Sequence, residues 1–90
     1  MRIEFDPTKR DRTLLERGLD FMDAAIVFAG VNITLMDARQ SYGEERLITF
    51  GGLNGRWVLV VWTPRGSARR IISMRYANER EIAKYTPALG

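Results

Sequence analysis

The apolar positions of the chain change period several times, and each change marks an element. Ile3 and Phe5 alternate with Arg2 and Glu4, which predicts a short strand over Arg2 to Phe5. Asp6-Pro7 then predicts a helix start. The Asp6 carboxylate can accept from the free N–H groups of the first turn, and Pro7 fits the first helical position, where no N–H is needed. This helix runs to about Arg17, and Gly18 is placed to take the left-handed position that ends it. Leu14 and Leu15 give it a thin apolar face, while Lys9, Arg10, Arg12 and Arg17 cover the rest. Asp20 caps a second helix, from Phe21 to about Phe28. Within it Phe21, Ala24, Ala25 and Phe28 fall at i, i+3, i+4 and i+7, and Ile26 and Val27 widen the stripe, so this helix reads as mostly buried.

The second half moves to period two. Ile33 to Asp37 reads as a strand and Ala38 to Glu44 as a polar loop with Tyr42-Gly43 at its tip. Glu45 to Leu53 is the next strand. Asn54-Gly55 between two β-rich runs predicts a hairpin, because a type I′ turn needs φ > 0 at both positions. Gly51-Gly52 reads as a bulge or twisted strand end rather than a phosphate loop, since no Lys-Ser/Thr and helix follow. Arg56 to Thr63 is apolar on both faces, which suits the middle of a covered sheet. Thr63-Pro64-Arg65-Gly66 reads as a turn, and Arg69 to Tyr76 as the last strand of a three-stranded antiparallel meander. Asn78 caps a final helix of about two turns, Glu81 completes a capping box, and the helix stops before Pro87. The expected fold is α+β over residues 1–90 as one domain. It has a curved antiparallel sheet, two N-terminal helices on one face and a short C-terminal helix.

Composition narrows the chemistry. The chain has no cysteine and no histidine. Zinc fingers, Cys–His pairs, Ser–His–Asp triads and an imidazole base are therefore excluded. There is no apolar leader segment and no run approaching 18 apolar residues, so a soluble, cytoplasmic protein with no membrane association is expected. The formal net charge is +3, carried by 12 Arg against 2 Lys. The arginine fork matches phosphate bidentately, although a high-GC genome favours the same bias.

The charge gathers in Ser67 to Tyr85, which holds Arg69, Arg70, Arg75, Arg80 and Lys84. With period two, Arg70, Ile72, Met74 and Tyr76 share one face of the last strand, and Arg69, Ile71, Ser73 and Arg75 the other. Ile72 and Met74 read as core, which leaves Ser73 and Arg75 on an open face. Arg46 precedes the neighbouring strand. Two readings follow: a phosphate-binding cleft, or arginines that are solvated or paired with Glu44, Glu45, Glu79 and Glu81. Tyr42, Tyr76 and Tyr85 are available to stack on bases, whereas Trp57 and Trp62 read as core or interface. A helix-turn-helix DNA reader is disfavoured, because the second helix offers almost no polar side chain for base edges.

The ordered set of residues resembles the BrnT-type toxins, the ribonuclease half of type II toxin–antitoxin pairs. The match opens with Ile3-Glu4-Phe5-Asp6-Pro7-Thr8-Lys9. It continues through Arg17-Gly18-Leu19-Asp20-Phe21 with Ala24-Ala25 and Phe28, then Glu44-Glu45-Arg46. It closes with the Val58 to Thr63 run and Arg70-Ile71-Ile72-Ser73-Met74-Arg75, followed by Ala77, Glu79-Arg80 and Tyr85. Where the family often has Lys-His-Gly, this chain has Glu16-Arg17-Gly18, so nothing here can rest on that histidine.

The resemblance implies a RelE-like fold, RNA cleavage without a metal or other cofactor, and inhibition of translation. It also implies a cognate BrnA-type ribbon-helix-helix antitoxin, with operator DNA engaged only through that antitoxin. Metal-free cleavage needs the 2′-OH deprotonated, the phosphorane's charge stabilised and the 5′-oxygen protonated. Arg75, Arg70, Arg80 and Arg46 are the residues expected to stabilise that charge. Glu79 is the candidate base, with Glu45 second. Tyr85, Lys84, Arg69 and Tyr42 are the expected RNA contacts. The competing reading is a catalytically inactive toxin-like module acting as an antitoxin co-repressor.

Overall fold

The computed structural model describes residues 1–38, 41 and 43–90. In chain order the elements are β1 (Arg2–Phe5), α1 (Pro7–Arg17), a 3-10 turn (Phe21–Asp23), α2 (Ala24–Ala29), β2 (Asn32–Met36), β3 (Leu47–Leu53), β4 (Arg56–Arg65), β5 (Ala68–Tyr76), α3 (Glu79–Tyr85) and a closing 3-10 turn (Thr86–Leu89). The strands form one sheet in the order β1-β5-β4-β3-β2. The class is α+β, with one correction. β1 runs parallel to β5, pairing Arg2 with Ala68 and Phe5 with Ile71, so the sheet is mixed rather than wholly antiparallel. A chain that crosses α1, α2 and three further strands before reaching β5 returns in the same direction as β1.

Local chemistry explains the element ends. The Asp6 side chain accepts from the Thr8 N–H, and Gly18 closes α1 at φ 69. Asp20 accepts from the Met22 N–H, but the segment that follows is not one helix. It starts as a 3-10 turn and becomes α-helical only at Ala24. Asn54 and Gly55 both take positive φ, at 52 and 78, as the β3–β4 turn requires. Pro64 is not in a turn: β4 continues to Arg65, with Pro64 opposite Arg69. The β3 ladder begins at Leu47 opposite Trp62, so Pro64 lies beyond it, where no β3 residue needs its missing N–H. Gly51 and Gly52 pair regularly with Val58 and Trp57 and form no bulge. Gly51 is instead where α2 presses on the sheet, since a Cβ there would sit 2.8 Å from Val27 Cγ1.

The irregularity lies one hairpin later. Val61 faces Ser73 and Trp62 faces Ile71, which leaves Ile72 as the extra residue of a β-bulge. Period-two reading fails there. Ile71 and Met74 both enter the core, and Ile72 does not. That core joins Phe21, Ala24 and Val27 to Val58, Val60, Trp62, Ile71 and Met74, with Ile3, Phe5 and Tyr76 at its margin. α1 contributes no buried residue. It is held by Arg10, whose guanidinium grips Asp20 at 3.0 and 2.7 Å, and by Arg17, which donates to the Met74 carbonyl at 2.7 Å. Among the described residues no helix is long and apolar enough to cross a membrane.

Candidate functional site

The alternating side chains of β4 and β3 that miss the core build the opposite sheet face. Phe50 and Trp57 stack at 4.9 Å, and Tyr85 from α3 tilts against Phe50 at 5.4 Å. Beside this aromatic shelf lies a cleft of about 270 Å³. Ile48, Leu59 and Val61 form its floor, and Ser73, Arg75, Glu81, Asp37 and Tyr85 supply its polar groups.

Arg75 is fixed in that cleft by one carboxylate. Its two terminal nitrogens donate to Glu81 at 2.8 and 2.6 Å, the planar fork-on-fork geometry that orients a guanidinium most tightly. Glu81 is placed by the start of α3. The Asn78 side chain accepts from the Glu81 N–H at 2.8 Å, and Glu81 accepts from the Asn78 N–H at 2.9 Å. Arg75 holds the Glu81 carboxyl below its usual range, against the opposing effect of burial, and the Asn78 N–H adds to the lowering. Glu81 is thus a charged clamp and a weak base at neutral pH.

The residues singled out from the sequence disperse. Arg75 and Tyr85 line the cleft together, with Ser73 between the strand neighbours. Arg70 is half-buried opposite Thr63, and Glu4 is its partner in the β1 register. With Ile71 in the core, alternation sends Arg70 to the cleft side of the sheet. Arg69 does not share the face of Ser73 and Arg75. The bulge turns it to the core side, where its guanidinium lies 4.4 Å from the Phe28 ring and 4.5 Å from that of Trp62. Arg46 donates to Glu44 at 3.3 Å, and Glu44 also meets Arg65 at 3.5 Å.

Glu79, Arg80 and Lys84 are exposed on α3 and do not line the cleft. Lys84 rests 5.4 Å from the Tyr85 ring. Glu45 is exposed as a side chain and gives its backbone carbonyl to Thr63. Tyr76 packs against the core under Arg56, 3.6 Å from its ring. Tyr42 lies outside the described residues.

Two cleft carboxylates escaped the sequence reading as site residues. Glu81 showed as a capping-box residue and as one of four possible arginine partners, and its spacing from Arg75 across a strand-to-helix corner was the signal that could have singled it out. Asp37 is only 6 % exposed at the end of β2. A lone acid after an apolar strand carries no pattern, and only the pairing of β2 with β3 brings it to the cleft. Among the described residues no three His, Cys, Asp or Glu side chains gather as a metal site requires.

The site thus sets an oriented arginine–carboxylate pair beside an aromatic shelf on one face of a small α+β sheet. The particular family follows from the comparison with family models. Residues 5–81 match the ribonuclease toxin, BrnT, of type II toxin–antitoxin systems, and the chain belongs to that family. Membership implies an RNA target and a cognate antitoxin. A search of curated proteins finds no match to the chain.

Proposed function

We propose that the chain is an endoribonuclease toxin that cleaves RNA without a metal, with the cleft of Arg75 as its active site. The observation that carries this reading is the Arg75–Glu81 pair: a guanidinium oriented in two dimensions, in a cleft beside Tyr85 and Ser73. In the reaction the 2′-oxygen attacks phosphorus, the bond to the 5′-oxygen breaks, and Arg75 neutralises the charge that builds on the equatorial oxygens. Arg70 reinforces it from the same side of β5, while Arg46 and Arg80 reach the substrate from the rim. The 2′-OH proton goes to a carboxylate, and the 5′-oxygen takes a proton from water.

Glu79 and Glu45 are outside the cleft, and the base role is assigned to Asp37, whose carboxylate lines the cleft across from Ser73 and Arg75. Tyr85 stacks a base, and Lys84 and Tyr42 serve as further RNA contacts. The family resemblance extends the proposal to a RelE-like fold, a single cytoplasmic toxin domain and arrest of translation. It further extends to a BrnA-type ribbon-helix-helix antitoxin through which alone operator DNA is met.

The test is expression without an antitoxin, paired with incubation of purified protein and RNA in EDTA. Growth arrest and RNA fragments that persist in EDTA support the proposal. Cleavage abolished by EDTA overturns its metal independence. A second reading, an inactive toxin-like co-repressor, is favoured by the engagement of Arg75 with Glu81 before any substrate arrives. It predicts neither arrest nor fragments.

A further inference from the structure

We propose a second RNA-backbone site on α1, separate from the cleft and reached from it over the free edge of β5. The inference rests on the ribonuclease reading. β1 pairs with β5 only as far as Ile71. Beyond that point α1 borders the strand and leaves a groove of about 190 Å³, lined by Lys9, Arg12, Thr13, Glu16, Arg17 and the edge residues of β5. Ser73 lines this groove and the cleft alike, so the two hollows meet at one residue.

Three features mark the groove for a polyanion. α1 buries no residue, so core formation does not account for its 11 residues. Lys9, Arg12 and Arg17 oppose a single carboxylate, Glu16, and neither Lys9 nor Arg12 has an ion-pair partner among the described residues. Arg17 is anchored to the Met74 carbonyl, which keeps its charge at the groove mouth. A single strand leaving the cleft across Ser73 would set its next phosphates against these cations. Such contacts position the chain and carry no sequence information.

The test measures binding of uncleavable 2′-O-methyl RNA, as a dinucleotide and as a decanucleotide, to wild type and to a Lys9→Ala/Arg12→Ala double variant over a range of salt. Two lost phosphate contacts should lower the decanucleotide's salt slope by about 1.4, at about 0.7 per cation for single strands. Dinucleotide binding should not change, which also shows that the variant is folded. An unchanged decanucleotide slope overturns the proposal. So does equal weakening for both lengths, or weakened antitoxin binding with the RNA slope intact, which would make α1 a protein contact. Because this probe is not cleaved, a catalytically dead wild type would refute the ribonuclease reading without touching this result.

Discussion

Met74 and Arg75 are neighbours on β5, yet they serve opposite faces built on different principles. Met74 is 0 % exposed among Phe21, Val58 and Val60, in a core built chiefly on apolar contact. Arg75 projects into a cleft where charge, aromatic surface and solvent coexist. The helix-side face gains its free energy from area and packing, and it takes polarity only where it is paired, as at the Thr49 hydroxyl that accepts from Trp62. The cleft face gives up part of that stabilisation to keep groups available for a ligand. One strand therefore carries structure and chemistry at once, and substitutions of adjacent residues should separate the two.

The largest effect is expected at Met74→Ala, which should lower unfolding free energy by about 2–5 kcal/mol in urea titration. A smaller loss would show that the core relaxes around the cavity. Arg75→Ala should reverse the profile: RNA cleavage falls by about 10²–10³-fold, while stability changes by less than about 1 kcal/mol. Arg75→Lys should restore little, because a lysine cannot reproduce the two-pronged contact with Glu81. Equal loss of stability in the Met74 and Arg75 variants would erase the distinction between the faces.

Gly51→Ala tests how tightly α2 is seated. Its Cβ would meet Val27 Cγ1 at 2.8 Å, so a cost of about 1–3 kcal/mol is expected, read as a lower urea midpoint. The smallest effect concerns acid. The Glu81 carboxyl is lowered from 4.5 by Arg75, and the Asp20 carboxyl from 3.8 by Arg10 and then the Met22 N–H. Both groups lie lower in the folded state. Their stabilisation is therefore complete above the unfolded values and is lost as pH falls through about 4.5 and below. Glu81→Gln should flatten that part of the stability–pH curve, and an unchanged curve would show that the pair adds nothing to folding.

Much of the scaffold was legible because its signals are local. Asp6 and Gly18 bracket α1, Asn54-Gly55 turns the hairpin, and Asn78 with Glu81 starts α3. What escaped depends on contacts between distant segments. Nothing near Ile3 announces a parallel partner at Arg69, and nothing near Ile72 announces a bulge. That one extra residue reassigns Ile71, Ile72, Arg69 and Arg70, so the basic stretch was visible while its division between faces was not. Ser73 and Arg75 kept their expected face because they lie past the bulge. Asp37 reached the cleft through strand pairing alone.

Glu81 closes the first turn of α3 through Oε1 and grips Arg75 with that oxygen and Oε2. The coil-to-helix equilibrium of residues 79–85 and the orientation of the guanidinium therefore share one reaction coordinate. Amide exchange at Ile82, whose N–H is bonded to the Asn78 carbonyl, would report both. A protein that unwinds or grips this helix would change Arg75 without approaching it, which gives an inhibitor of the toxin a handle outside the cleft.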